Sequence, residues 1–339
     1  MDFTMTEAAR DLATLTRTIV GDREFDDSLW TDLAKAGVLG AALPAAAGGD
    51  GYGLLEQCAV LVELGRAVAP VPYLPSIVTA ASAIAAFGDS AQVDRWAVPA
   101  GRGELVLTAA LDEGTVHAQR GPGCWTLTGA RTTVPAATYA DLFLVPTAEG
   151  VFLVTSDDDG VSVEPQSPAG EGWLELSTVE LSNDRRLSGG SDVLPWLVAR
   201  ATLGLCAVQL GVTERALELT SEYARTRVQF GRPIGSFQAV AQRLADAYID
   251  VEAIRLTMWH AAWRLSAGLP CPTEVGTAKF WAADAGHRVA HAAVHVHGGV
   301  GIDLEHPVHR YFLAAKHNEF SLGGATAQLR AIGTALLQG

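Results

Sequence analysis

The chain has few cysteines, few charges for its size and no basic surplus, and each shortage removes a class of function. Only four cysteines occur, Cys58, Cys124, Cys206 and Cys271. They are far apart with no paired spacing, which argues against a disulfide framework and fits reduced thiols, mostly in apolar runs, of a cytoplasmic protein. Charged residues make up 18%, and 38 Asp and Glu against 24 Lys and Arg give a formal charge of -14. A field of that sign repels phosphate, so no nucleic acid partner is expected and any anionic ligand must be caught by local arginines. The residues from Met1 to Glu7 show neither a basic flank nor an apolar h-region, so no secretion signal is read there. The best bilayer candidate, Leu194 to Val212, is interrupted by Arg200, Thr202 and Gln209 and reads as a buried helix rather than a membrane span.

Apolar residues, by contrast, are plentiful. They form 49% of the 339 residues, enough for several cores in a chain longer than one core usually supports. The pattern predicts an α+β fold, mostly α, in three domains: helical at 1–102, a small β-barrel or sandwich at 103–190, and a bundle of long helices at 191–339. Helices are expected over Thr6 to Ile19, Asp27 to Ala36, Leu54 to Val68 and Ser76 to Phe87, with a short one near Gln92 to Ala97. The glycine-rich connection from Leu43 to Gly53 lacks a lysine and the Walker spacing, so it reads as a turn between packed helices. After Gly103 short runs of Val, Leu, Thr and aromatics predict antiparallel strands, at Leu105 to Leu111, Cys124 to Thr128, Asp141 to Pro146, Val151 to Thr155, Gly160 to Glu164 and Trp173 to Leu181. From Asp192 to about Arg227 nothing breaks a helix except Pro195 in its first turn, and such a helix would span roughly 54 Å. A second long helix is expected from Ser236 to Ala267, with Val240, Leu244, Ala247, Val251, Ile254, Met258 and Ala261 as one apolar stripe. A third runs from Thr273 to His297, and shorter ones near Val308 to His317 and Ala325 to Leu337.

Three stretches carry residues suited to chemistry. Between the first two long helices lies Tyr223 to Gln238, basic and punctuated by Gly231, Pro233 and Gly235. The helix is expected to end near Phe230, with Gly231 in the left-handed cap and Ser236 as the next N-cap. Arg225, Arg227 and Arg232 then flank a helix end and a fresh N-terminus, which suits a phosphorylated ligand and equally suits a plain turn with solvated arginines. All histidines except His117 and His260 lie between 287 and 317. His287, His291 and His295 share one helical face, but the outer two would stand roughly 12 Å apart, against metal–nitrogen bonds of about 2 Å. No metal site is expected from them. Finally His297-Gly298-Gly299-Val300-Gly301 lets backbone approach a ligand and delivers Asp303 and Glu305 before Pro307. An apolar setting among Ile302, Leu304 and Pro307 would suit Glu305 as a general base, while the spacing alone also fits two solvated loop acids.

Taken together, the helical block, β domain and long-helix bundle resemble the acyl-CoA dehydrogenase family. The motifs that carry the resemblance are Tyr223-Ala224, Arg227, Phe230-Gly231, Pro233-Ile234 and Gln238 followed by Leu244-Ala245-Asp246. Gly298-Gly299-Val300-Gly301 with Glu305 and Pro307 adds to them, as do Leu33-Ala34, Gly37, Pro44, Gly48-Gly49 and Glu63-Leu64-Gly65-Arg66. The resemblance implies FAD as cofactor, with Arg227, Phe230, Gln238, His295, Gly298 and Gly299 as cofactor-binding residues on a flavin held mainly by a neighbouring subunit. It implies Glu305 as the catalytic base, an acyl-CoA substrate, and electron-transfer flavoprotein or a similar acceptor. The family's Thr-Glu-Pro-x-x-Gly-Ser-Asp segment is replaced by Thr108 to Gly114, and its tryptophan-bearing strand by Arg131-Thr132-Thr133-Val134-Pro135. Its Arg-Asp after the base is Leu313-Ala314, and its late Glu-Gly-Thr is Leu322-Gly323-Gly324. In these departures the chain resembles the shorter subunit of heteromeric actinobacterial acyl-CoA dehydrogenases of the steroid side-chain type. That implies a homo- or hetero-oligomer with another chain of the family and a bulky substrate, or else a non-catalytic subunit completing a partner's FAD site.

Overall fold

The computed structural model describes residues 4–21 and 28–338. Its helices begin with α1 (Glu7–Val20), α2 (Ser28–Lys35) and α3 (Leu54–Ala67), followed by the short α4 (Ser82–Phe87), α5 (Ser90–Gln92) and α6 (Val98–Gly101). Strands β1 (Leu107–Ala109), β2 (Gly114–Arg120), β3 (Cys124–Val134), β4 (Leu142–Thr147), β5 (Gly150–Thr155), β6 (Val161–Pro165) and β7 (Gly172–Ser182) come next. The chain closes with α7 (Val193–Thr226), a small hairpin of β8 (Val228–Gln229) and β9 (Arg232–Pro233), then α8 (Gln238–Ser266), α9 (Pro272–His297), α10 (Val308–Phe320) and α11 (Ala325–Gln338). This is the mostly helical α+β arrangement that the patterning implies. The expected start of the second helix at Asp27 lies outside the described residues.

Contacts divide the chain into two compact units. The first holds, among described residues, 4–21, 54–69 and 202–338, so α1 and α3 group with the C-terminal helices. Thr6 starts α1 as a true N-cap, its hydroxyl oxygen accepting from Ala9 N at 3.0 Å. Arg66 on α3 donates to Glu214 and Glu218 of α7, both at 2.8 Å. On α8 the expected stripe is buried from Ala247 through Val251, Ile254, Met258 and Ala261. Helix α7 is apolar and long enough to cross a bilayer, but 61% of its most apolar window is buried within the fold, as in a core helix.

The second unit holds 28–53 and 70–201. Its strands form two sheets, β1-β4-β5 and β2-β3-β7-β6. Trp125 and Leu127 of β3, Phe143 and Val145 of β4, Phe152 of β5 and Leu174 of β7 share one buried core, which makes a sandwich of the pair. Trp125 meets Phe152 edge-on at 5.3 Å. Two features differ from the sequence reading. β1 runs parallel to β4, because the β2-β3 hairpin between them belongs to the other sheet. β2 was not expected: it is an edge strand whose only fully buried residue is Val116, so it carries little apolar signal. The helix expected from Ser76 begins instead at Tyr73 as a π-helix through Ala81. The hydroxyls of Thr79 and Ser82 donate to the carbonyls five residues back, Leu74 at 2.9 Å and Ile77 at 2.8 Å, which fits the wide turn.

Cys58, Cys206 and Cys271 are buried and Cys124 half-buried, in keeping with their apolar runs. Burial pushes the Cys206 thiol up to about 12 against the opposing charge of Lys279.

Candidate functional site

The stretch after α7 is an arm, and its shape corrects the expected helix. Arg227 N still donates to Tyr223 O at 2.8 Å, but the helix ends at Thr226. Val228 and Gln229 then pair with Pro233 and Arg232, leaving Phe230 and Gly231 as a two-residue turn with φ of +53° and +78°. Positive φ at both turn positions is the geometry that matches strand twist in a tight hairpin, so Gly231 serves a hairpin and not a helix cap. Ser236 also departs from expectation. Its hydroxyl donates to Pro233 O at 2.7 Å, and α8 starts at Gln238 without a side-chain cap.

The hairpin holds its side chains outward. Phe230 is 93% exposed and faces Phe237 edge-on at 6.2 Å. The Arg232 guanidinium lies over the Phe237 ring at 4.3 Å. Arg227 and Gln238 are exposed, and their side chains have no partner among the described residues. Behind the hairpin a cavity of about 430 Å³ is lined by Ser221, Arg225, Pro233, Ser236 and Leu244.

The glycine turn after α9 has a similar openness. Gly298, at φ +64°, and Gly299 have nothing within 4 Å of the position a Cβ would take. His295 one turn earlier is exposed. Glu305 is exposed as well, its backbone N–H donating to Asp303 Oδ1 at 3.0 Å. The apolar setting expected for Glu305 is not supplied by its sequence neighbours: Ile302 is 72% and Leu304 78% exposed, so they point outward. The two stretches meet at Tyr223, whose ring stacks on His297 at 4.4 Å and faces His306 edge-on at 6.4 Å. This aromatic cluster was not singled out by the sequence, although Tyr223 stands at the head of the arm motif and four residues before Arg227.

The remaining histidines pair rather than converge. His287 Nδ1 lies 3.1 Å from Glu319 and 3.0 Å from Lys316 Nζ, and its ring is 4.3 Å from that of His291. Burial, with His287 and Lys316 nearby, lowers the His291 pKa. Among the described residues no three His, Cys, Asp or Glu converge as metal ligands.

The β domain uses its polar groups internally. Thr108 Oγ1 donates to Pro135 O at 2.6 Å, and Arg131 donates to Asp112 O and Pro146 O at 3.0 and 3.1 Å. Gln166 Oε1 accepts from Thr132 Oγ1 and from Thr133 N, at 3.1 and 2.7 Å. These segments stand where the family's flavin-lining groups fall, and here Thr108, Thr132 and both terminal nitrogens of Arg131 are engaged within the domain, while Arg131 Nε is buried without a partner among the described residues. The arm fits a flavin cofactor in the opposite sense: a cation, an amide and an aromatic face stand uncommitted, and the turn after α9 has glycines that leave backbone accessible.

An N-terminal helical block, a β sandwich and a long-helix bundle bearing this arm and glycine turn define a class of oxidoreductase that acts on CH–CH groups. Residues 3–104 match the N-terminal domain and residues 189–337 the C-terminal domain of acyl-CoA dehydrogenase, and the chain belongs to that family of flavoproteins. It is 52% identical over 371 aligned positions to acyl-CoA dehydrogenase FadE27 of Mycobacterium tuberculosis, covering 100% of this chain and 99% of that protein. Among solved structures it matches a chain of the ChsE4-ChsE5 complex from Mycobacterium tuberculosis at TM-score 0.96 and 52% identity, over 100% of this chain and 100% of that one. It also matches the Tcur3481-Tcur3483 steroid ACAD G363A variant at TM-score 0.92 and 39% identity, over 99% of each.

Proposed function

We propose that this chain is one subunit of an FAD-dependent acyl-CoA dehydrogenase that introduces an α,β double bond into an acyl-CoA thioester. It works in a heteromer in which its arm completes a flavin site held chiefly by a partner chain of the same family. The observation that carries this reading is the contrast between the arm and the β domain: Arg227, Phe230 and Gln238 stand exposed, whereas Thr108 and Arg131 are committed within the sandwich. Arg227 would pair with phosphate charge. Phe230 would cover an aromatic ring, and Gln238 and His295 would offer hydrogen-bonding groups. Gly298 and Gly299 would admit close backbone approach. When bound, FAD supplies the acceptor for the β-hydride.

Assembly with another helical chain is supported by exposed apolar residues at seven-residue spacing, Ile249, Leu256 and Trp263 on α8, Leu313 and Phe320 on α10, Leu329 and Leu336 on α11. That spacing presents a seam to a neighbouring helix. The similarity to two solved structures with paired names, one of them a complex, points the same way, and the steroid ACAD among them supports a bulky acyl group such as a steroid side chain. Electron-transfer flavoprotein or a similar acceptor in the cytoplasm would reoxidise the flavin.

Glu305 is the base this reading assigns, removing the α-proton. Its exposure favours a second reading, in which the chain is non-catalytic and the partner supplies the base. The test is co-purification of the chain with its partner chain. Arg227→Ala with Phe230→Ala should lower flavin affinity about 100-fold, the loss of roughly two charge-assisted or ring contacts; full flavin occupancy would overturn the proposal, as would a yellow, FAD-containing homo-oligomer from the chain alone. In the assembled enzyme Glu305→Gln should abolish flavin bleaching by substrate. Unchanged bleaching assigns the base to the partner.

A further inference from the structure

His297 and His306 are placed and protonated to complement each other. His297 is 4% exposed, and its Nδ1 lies 2.8 Å from Ala293 O, a group that only accepts, so Nδ1 carries the proton. Burial, with His306 nearby, lowers the His297 pKa despite the Ala293 bond, so the ring is neutral at pH 7 and Nε2 presents a lone pair. That buried Nε2 has no hydrogen-bond partner. His306 has the opposite arrangement: its Nδ1 accepts from Val308 N at 3.3 Å, which leaves the proton on Nε2. The two rings are 5.0 Å apart between centroids and inclined by 58°. Turning His306 about its Cβ–Cγ bond exchanges the long Val308 contact for an N–H···N bond of about 3 Å to His297, which fits between rings at this separation and keeps the proton on Nε2.

Their surroundings make the pairing consequential. His297 closes α9 and stacks on Tyr223 at the root of the arm, and an added Cβ at Gly301 would come within 3.1 Å of the His297 Cβ, so the glycine turn rests on this residue. His306 follows Glu305 directly, and its carbonyl is held by His309 Nδ1 at 2.7 Å. We propose that His306 Nε2–H donates to His297 Nε2 as a latch that fixes the turn carrying Glu305 against the root of the arm. Both are positioning residues. Their role at the flavin site rests on the function proposed above, while the latch itself is a property of this chain's fold.

The experiment is a double-mutant cycle in the co-purified assembly, with His297→Phe, His306→Phe and the pair, read by flavin affinity and by the Tm of the chain. Phenylalanine keeps the ring on Tyr223 and removes the lone pair or the donor. Each single variant should weaken flavin retention about fivefold, and the double should be no worse than the weaker single. Effects that multiply overturn the latch. His306→Gln, which keeps an N–H donor, should recover most of the affinity, and His306→Leu should not; equal behaviour of the two also overturns it. If the phenylalanine variants do not fold, the ¹⁵N shift of His297 Nε2 in the unmutated chain decides: a hydrogen-bonded acceptor supports the latch, and a free lone pair sinks it. Coupling in Tm without any effect of Arg227→Ala on flavin would keep the latch and discard the proposed function.

Discussion

Two sets of glycines in the same helical unit serve opposite purposes. A Cβ on Gly211 would come within 2.0 Å of Val62 O, and one on Gly65 within 2.2 Å of Val208 O, so α3 and α7 touch backbone to backbone. On Gly286 it would meet Gln209 Nε2 at 2.0 Å. At Gly298 and Gly299 it would meet nothing within 4 Å. The first set exists because the chain's own helices need the space, and the second leaves space that the chain itself does not fill. Polar groups divide the same way. Around the packed glycines Gln209 Nε2 donates to Ala282 O at 3.1 Å and Ala315 O at 3.3 Å, while its Oε1 accepts from Asn318 at 2.9 Å. On the arm, Arg227 and Gln238 stand exposed and uncommitted. Filled space and satisfied bonds mark the scaffold, and open space with unused donors is what the proposed flavin site requires.

The comparison is broken most forcefully at Gly211. A methyl group there meets Val62 O and, at 2.7 Å, Arg66 N, neither of which can swing aside. The helices must separate, straining the ion pairs of Arg66 with Glu214 and Glu218. Gly211→Ala should therefore destabilise the chain by about 3 kcal/mol, the upper end for overpacking a tight core. Urea unfolding checks it, and an unshifted midpoint would show that the seam is looser than the distances say.

Much of this scaffold is legible in the sequence, and the reasons are local. The stripe from Ala247 to Ala261 on α8 is written in its spacing, and the helix expected from Thr6 is α1, which Thr6 caps. What escapes is decided by pairing across the chain. β2 is an edge strand with one fully buried side chain, and the parallel union of β1 with β4 depends on where an intervening hairpin is placed. The sequence predicts helix as far as Phe230 because Arg-Val-Gln-Phe carries no breaker; the hairpin forms because Gly231 and Pro233 let Val228 pair with Pro233. At the site, sequence points to Glu305 as a residue but not to its surroundings. Neighbours in sequence, Ile302 and Leu304, turn outward and enclose nothing.

A smaller effect is expected at Lys279, a fully buried residue of the scaffold set. Its ammonium donates to Asn318 O at 3.0 Å and Glu319 O at 3.1 Å, satisfying carbonyls at the C-terminal end of α10 where the helix offers them no partner. Lys279→Met keeps the length of the side chain and removes the donors. Stranding these carbonyls should cost about 2 kcal/mol, offset only in part by the apolar replacement. Thermal unfolding of the chain measures it, and a gain in stability would mean that desolvating the ammonium outweighs its bonds.

The smallest change in stability should come from Gly299, and there the comparison is sharpest. No atom stands near its would-be Cβ, and its φ lies outside the left-handed range, so alanine meets neither a clash nor backbone strain. Gly299→Ala should leave the urea midpoint of the isolated chain within about 0.5 kcal/mol of the parent, as for a surface substitution away from any special feature. If the open space is reserved for a flavin lying against the backbone, the same methyl group should nevertheless weaken flavin binding in the co-purified assembly by about tenfold, roughly 1.4 kcal/mol. Gly298 is the poorer probe, because its φ of +64° would add strain of its own. A variant that loses stability and keeps its flavin would reverse the assignment of the two glycine sets; one that keeps both would leave Gly299 a solvent-facing turn residue and shift the burden of flavin contact onto Arg227 and Phe230.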